Sequence, residues 1–123
     1  MIIWQFGNDG RECYFSKNDG VLSCPYQIIE LLEAGRKFVI AHQLLKSDTS
    51  IGANVHEAQN AESKADFIHK FKIAAKEIEE TKYWLVLCKE SEHYPDCTHL
   101  EPLLFEIDKI VTKIIATSKT KIG

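Results

Sequence analysis

The chain has 123 residues, enough for one domain with one core. Its apolar content is 45%, its charged content 27% and its net charge −3, a balance that recommends neither a nucleic acid nor an anionic membrane as partner. The longest apolar run, Tyr83 to Cys88, is far shorter than the roughly 20 residues of a bilayer span. The start, "MIIWQFGNDG", lacks the basic and long apolar regions of a leader. The expectation is a cytoplasmic protein with free thiols and no membrane association.

Residues 1–24 read differently from the rest. Asn-Asp-Gly occurs at Asn8 and again at Asn18, and this is turn chemistry. With "IIWQF" and "RECYF" around the first triplet, the stretch predicts an irregular or hairpin-like N-terminal arm, divergent and turn-rich, appended to a helical domain over 25–123. From Pro25 the spacing turns helical. "CPYQIIELLEAG" predicts a short first helix of about three turns, with Pro25 at its first position and Gly35 as its stop.

A second helix is predicted from Arg36 or Lys37 to Asn60 or Ala61. Its apolar face carries Phe38, Ala41, Leu44, Leu45, Ile51, Val55 and Ala58. Ser63 and Asp66 predict a capping box that opens a third helix at Lys64. Its stripe is Phe67, Phe71, Ala74, Ala75, Ile78, Thr81, Leu85 and Cys88, and it runs to about Ser91. "EHYPDCT" breaks the chain, and Thr98 with Glu101 predicts a second capping box. The last helix has the cleanest stripe: Leu100, Leu103, Leu104, Ile107, Ile110, Val111, Ile114 and Ile115. Amphipathic helices joined by short links predict an all-α fold, an antiparallel up-and-down four-helix bundle with a shortened first helix.

The second helix is rich in small residues: Ser47, Ser50, Gly52, Ala53, Ala58 and Ala61. Gly52 alone costs about 1 kcal/mol of helix stability relative to alanine, which close packing must offset. Tyr83 and Trp84 are the expected bulky partners, so Trp84→Ala is expected to be strongly destabilising. Asn54 lies near the apolar arc. Glu57, Glu77, Glu80 and Thr81 are its expected partners in a half-buried polar network that sets helix register. The alternative is a small polar ligand pocket.

Three patterns touch on catalytic or metal chemistry, and each has a plainer reading. Cys88, His93, Cys97 and His99 are zinc-ligand types, but their spacing matches no standard site and crosses a helix end; free thiols and solvated histidines are the plainer reading. A di-iron site needs Glu-x-x-His on two helices, and only Glu90 with His93 has that spacing. Cys88 lies on an apolar stripe, where a thiol behaves as a small hydrophobe with a raised pKa. No catalytic residue, metal, cofactor or small-molecule substrate is therefore assigned. The third helix has six lysines (Lys64, Lys70, Lys72, Lys76, Lys82, Lys89) offset by five acids, which reads as a solvated face with i,i+4 pairs.

The stretch from Gln43 to Leu85, "QLLKSDTSIGANVHEAQNAESKADFIHKFKIAAKEIEETKYWL", resembles the four helix bundle protein family, also labelled 23S rRNA intervening-sequence proteins. The resemblance rests on Gln-Leu-Leu-basic-Ser, Thr-Ser-Ile-Gly-Ala-Asn, Ser-Lys-x-Asp-Phe and Lys-Glu-x-x-Glu-Thr-x-Tyr-Trp-Leu. It implies a bacterial, non-enzymatic bundle, often assembled as a ring-like homopentamer, serving as a scaffold or interaction module. A distant relative, the accessory protein of diversity-generating retroelements, implies the alternative of RNA or DNA binding by the assembled ring. Arg36, Lys37, Lys46, Lys119 and Lys121 are the contacts expected in that case. The chain departs from the family in its short first helix and in Asp48, where a small neutral residue is usual.

Overall fold

The structure is a computed structural model that describes Ile2–Phe6, Glu12–Ser16, Val21–Ser23 and residues 26–120, with side chains over residues 28–119. The arm forms three strands, β1 (Ile2–Phe6), β2 (Glu12–Ser16) and β3 (Val21–Ser23), in an antiparallel sheet of order β1-β2-β3. Ile2 faces Ser16 and Phe6 faces Glu12 across the first pair; Tyr14 faces Ser23 across the second. Strand-forming Ile, Trp, Phe, Tyr and Val supply the segments. The arm thus has one strand more than a hairpin, and both Asn-Asp-Gly triplets fall between strands, outside the described residues.

From Tyr26 onward the chain is helical: α1 (Tyr26–Ala34), α2 (Phe38–Ala58), α3 (Lys64–Glu90), a 3-10 turn over Thr98–Leu100, and α4 (Glu101–Thr120). Pro25, expected to open α1, lies outside the described residues. α1 stops at Ala34, directly before Gly35, as expected. The Lys37 N–H donates to the Leu32 carbonyl at 2.7 Å and the Arg36 N–H to the Glu33 carbonyl at 2.9 Å. That pair of bonds is a Schellman motif, and its left-handed residue is Arg36, at φ 62°, rather than Gly35. A side chain pays for that conformation. Arg36→Gly should therefore raise the melting temperature, by about 0.5–1 kcal/mol of stability. An unchanged or lower melting temperature would show that the arginine's own contacts outweigh the strain.

The start of α3 keeps one half of the expected box: the Asp66 N–H donates to Ser63 Oγ at 3.0 Å, while the Asp66 carboxylate accepts from the Glu62 N–H at 3.2 Å, one residue before the cap. The start of α4 does not. Thr98 caps nothing; its N–H and hydroxyl both donate to Asp96 Oδ1, at 3.0 and 2.8 Å. These bonds hold the Asp96 carboxyl below its usual pKa. Asp96, two residues upstream, reaches the turn first, so the chain enters α4 through a 3-10 turn instead of a capping box.

One core joins the helices. Ile28, Ile29 and Leu32 of α1 are buried with Leu44 and Ile51 of α2, Phe71, Ile78 and Leu85 of α3, and Leu103, Leu104 and Val111 of α4. Phe38, placed on the apolar face by its spacing, instead points outward and is 59% exposed. Ile40 takes the inward place, and Ser47 and Asp48 join it inside. Ser47 meets Thr81, and ten residues further along α2 Glu57 meets Lys70. α2 therefore climbs as α3 descends.

Candidate functional site

The polar residues of α2 are reconciled with a helix by bonding back to it. Thr49 Oγ1 donates to the Leu45 carbonyl at 2.8 Å, Asn54 Nδ2 to Ser50 at 2.8 Å and Ser47 Oγ to Leu44 at 3.3 Å. Asn54 thus spends its amide on its own helix and joins no network with α3. Glu57 pairs instead with Lys70 at 3.1 Å on the surface. The buried tie between α2 and α3 is Thr81 Oγ1 to Ser47 Oγ, 2.9 Å, with Thr81 also 2.8 Å from the Glu77 carbonyl. Asp48, 1% exposed, lies beside it among Leu44, Leu85, Leu100, Leu103 and Leu104, around a cavity of about 10 Å³. Three helices meet at this cluster. The sequence signal for it was present: Ser47 and Asp48 sit three and four residues after Leu44, on the buried arc.

A hydroxyl pair between helices has a measurable worth. Thr81→Val keeps shape and removes the donor, so it should cost about 1 kcal/mol. Combined with Ser47→Ala, the double change should cost less than the sum, with a coupling of about 0.5–1.5 kcal/mol in denaturant melts. Strict additivity would show that the two hydroxyls do not act together.

Tyr83 and Trp84 do not fill a gap over Gly52. The ties at Ser47–Thr81 and Glu57–Lys70 bracket Gly52 and place it opposite the stretch around Ala75. Trp84 lies about two turns away along α3. Gly52 of α2 and Ala74 of α3 are both buried. Tyr83 is 56% exposed, and Trp84 is half-buried, edge-on to the Tyr83 ring at 5.1 Å, with Nε1 donating to Glu80 Oε1 at 3.4 Å.

Glu77 and Glu80 lie one turn apart. Partial burial, the Glu80 charge and a hydrogen bond between the two carboxyls raise the pKa of Glu77 above the ordinary 4.5, while Lys46 opposes the shift. A carboxyl with a raised folded pKa stabilises the fold while protonated. This contribution is full below the unfolded value and is lost as pH rises from 4.5 through the folded pKa. Glu77→Gln should therefore raise the melting temperature at neutral pH and flatten its fall above pH 4.5. A steeper fall in the variant would reverse the sign.

The lysines do not gather on one face of a single chain. Arg36 is exposed at the α1–α2 corner, and Lys37 lies over the Tyr94 ring at 5.2 Å. Lys119 lies at the other end of α3, lining a cleft with His69 and Lys72. Residues 69 and 90 alone span about 30 Å of helix. Lys46 is exposed on α2, and Lys121 lies outside the described residues. Three α3 lysines are taken by carboxylates: Lys70 by Glu57, Lys82 by Asp108 at 2.7 Å and Glu79 at 3.1 Å, and Lys89 by Glu101 at 3.8 Å. Burial works against the Lys82 charge, but its hydrogen bonds to Asp108 and Glu79 outweigh it and raise its pKa.

The second feature is an open groove of about 260 Å³ between α3 and α4, lined by Lys82, Leu85, Val86, Glu101, Leu104 and Phe105. Val86 is 50% exposed and Phe105 58%. The Phe105 ring is flanked by Lys82 Nζ at 5.7 Å and Lys109 Nζ at 5.1 Å. Spacing alone did not reveal this surface, because Val86 and Phe105 lie off both apolar stripes.

Four helices around one core make this a helical-bundle protein. The chain belongs to the 23S rRNA-intervening sequence protein family, whose profile matches residues 22–116. It is similar to a crystal structure of a protein of unknown function from the S23 ribosomal protein family of Bacteroides thetaiotaomicron VPI-5482. The identity is 41%, the TM-score 0.66, and the match covers 73% of this chain and 86% of that one. No curated protein matches the chain. No described helix is long and apolar enough to cross a membrane.

Proposed function

We propose that this protein is a non-enzymatic, cytoplasmic four-helix bundle that assembles with copies of itself and acts as a scaffold or interaction module. In this reading the helices run up and down in antiparallel order, with α1 the shortened member. The observation that carries it is the α3–α4 groove, whose rim leaves Val86 and Phe105 at least half exposed. Exposed apolar surface of this kind marks an interface. A groove on one copy that receives a different surface of the next repeats until the rotation closes, which gives a ring. A homopentamer is the ring size that resemblance to the family favours. Sedimentation at micromolar concentration should give a mass several times 14.0 kDa. A clean monomer mass would end this reading.

A second reading, RNA or DNA binding by the assembled ring, is favoured by the α1–α2 corner. There exposed Arg36, Lys37 over Tyr94, and exposed Phe38 combine cations with aromatic faces. Single-stranded nucleic acid is bound by such a combination. Binding to an unspecific RNA that weakens steeply with salt supports it, and salt-independent or undetectable binding removes it.

A further inference from the structure

Cys88 lies in the last turn of α3, and Cys97 lies where the connection to α4 returns to the same turn. Both thiols are 1% exposed. Cys97 Sγ is 3.5 Å from the Leu85 carbonyl, three residues before Cys88. Leu85 and Cys88 lie three residues apart on α3, so this bond sets the Cys97 thiol against the turn that carries Cys88. Two buried cysteines thus lie at the same end of α3, across an irregular connection, Ser91 to Asp96, in which Glu92 and His93 are exposed. His93 and His99 are both exposed, and the described residues hold no cluster of three metal-ligating groups, so the arrangement is that of a dithiol.

We propose that Cys88 and Cys97 form a reversible dithiol–disulfide couple, a modification site that pins the α3–α4 connection to the last turn of α3. The oxidant is a peroxide. The Cys88 thiolate attacks one peroxide oxygen, the O–O bond breaks, and hydroxide leaves to take up a proton. Cys88 is then a sulfenic acid. The Cys97 sulfur attacks that sulfur as its own proton passes to the departing hydroxide, and the S–O bond breaks with release of water. Two thiols and one hydrogen peroxide give one disulfide and two waters; the sulfurs are oxidised and the peroxide is reduced. An asymmetry between the two thiols suits Cys88 to the first attack and keeps Cys97 a thiol until the second. The hydrogen bond from Cys97 brings the Cys88 thiol down against the effect of burial, while the same bond and burial push Cys97 up. Since both sulfurs are buried, oxidation proceeds through local opening of the connection, and the disulfide suppresses that opening.

The full chain, treated with hydrogen peroxide and then blocked at its remaining thiols, is digested without reduction and mapped by mass spectrometry. The expected result is a peptide pair joining Cys88 to Cys97, released by dithiothreitol. The melting temperature of the oxidised form should exceed that of the reduced form by about 5–10 °C, because the bond closes a short loop in the unfolded chain. Cys97→Ala should abolish both the pair and the shift. The map on the parent chain stands by itself should that variant fail to fold. Overoxidation of the two cysteines separately, pairing of either with Cys13 or Cys24, or a linked peptide with no thermal shift would each overturn the proposal.

Discussion

Phe71→Ala should lower the unfolding free energy by about 3–5 kcal/mol, the usual cost of deleting a buried aromatic. Phe71 is 2% exposed, and its ring lies 4.9 Å from that of Phe67. A domain of this size holds only about 5–15 kcal/mol in total, so the variant should be partly unfolded at 37 °C. Trp84→Ala should cost distinctly less, about 1–2 kcal/mol, because the indole is only half-buried and its hydrogen bond to Glu80 is long, at 3.4 Å. The sequence alone pointed to Trp84 as the strongly destabilising site. Denaturant melts of the two variants side by side decide between them, and an equal or larger loss at Trp84 would place the indole in an interface between copies.

Val86→Glu with Phe105→Glu should convert the proposed ring to monomers without unfolding the chain. Both side chains are at least half exposed, so the substitutions place carboxylates in water in the monomer. In a docked groove they would be buried without partners, and losing even a few kcal/mol per contact dissociates a ring. Sedimentation should show a single-chain mass, with the helical circular dichroism signal of the parent. A variant that keeps the parent's multimeric mass would show that assembly uses a different surface.

The length and placement of α3 were legible because its period persists over 27 residues and its first turn carries its own cap. The connection into α4 was misread at Thr98, since a capping box is a local pattern and Asp96 satisfies the same donors from outside it. The stop at Gly35 was legible, but the left-handed residue is the next one, Arg36. Glycine is the preferred left-handed residue, yet the Leu32–Lys37 bond puts Arg36 in that conformation. The expected network around Asn54 rested on proximity to the arc. A short amide can reach its own helix at Ser50, and it does.

The sequence by itself determined the helical segments, the buried stripes and the family, since each is a local pattern repeated over enough residues to outweigh single exceptions. It also marked the first 24 residues as a different kind of structure. Only the tertiary structure decided which residues meet: Ser47 with Thr81, Glu57 with Lys70, Cys97 with the Leu85 carbonyl. It also decided that Val86 and Phe105 are left uncovered. Contacts of this kind depend on how one helix is rotated and slid against another. A shift of one residue turns a helix by about 100° and exchanges its neighbours, while its own period stays the same.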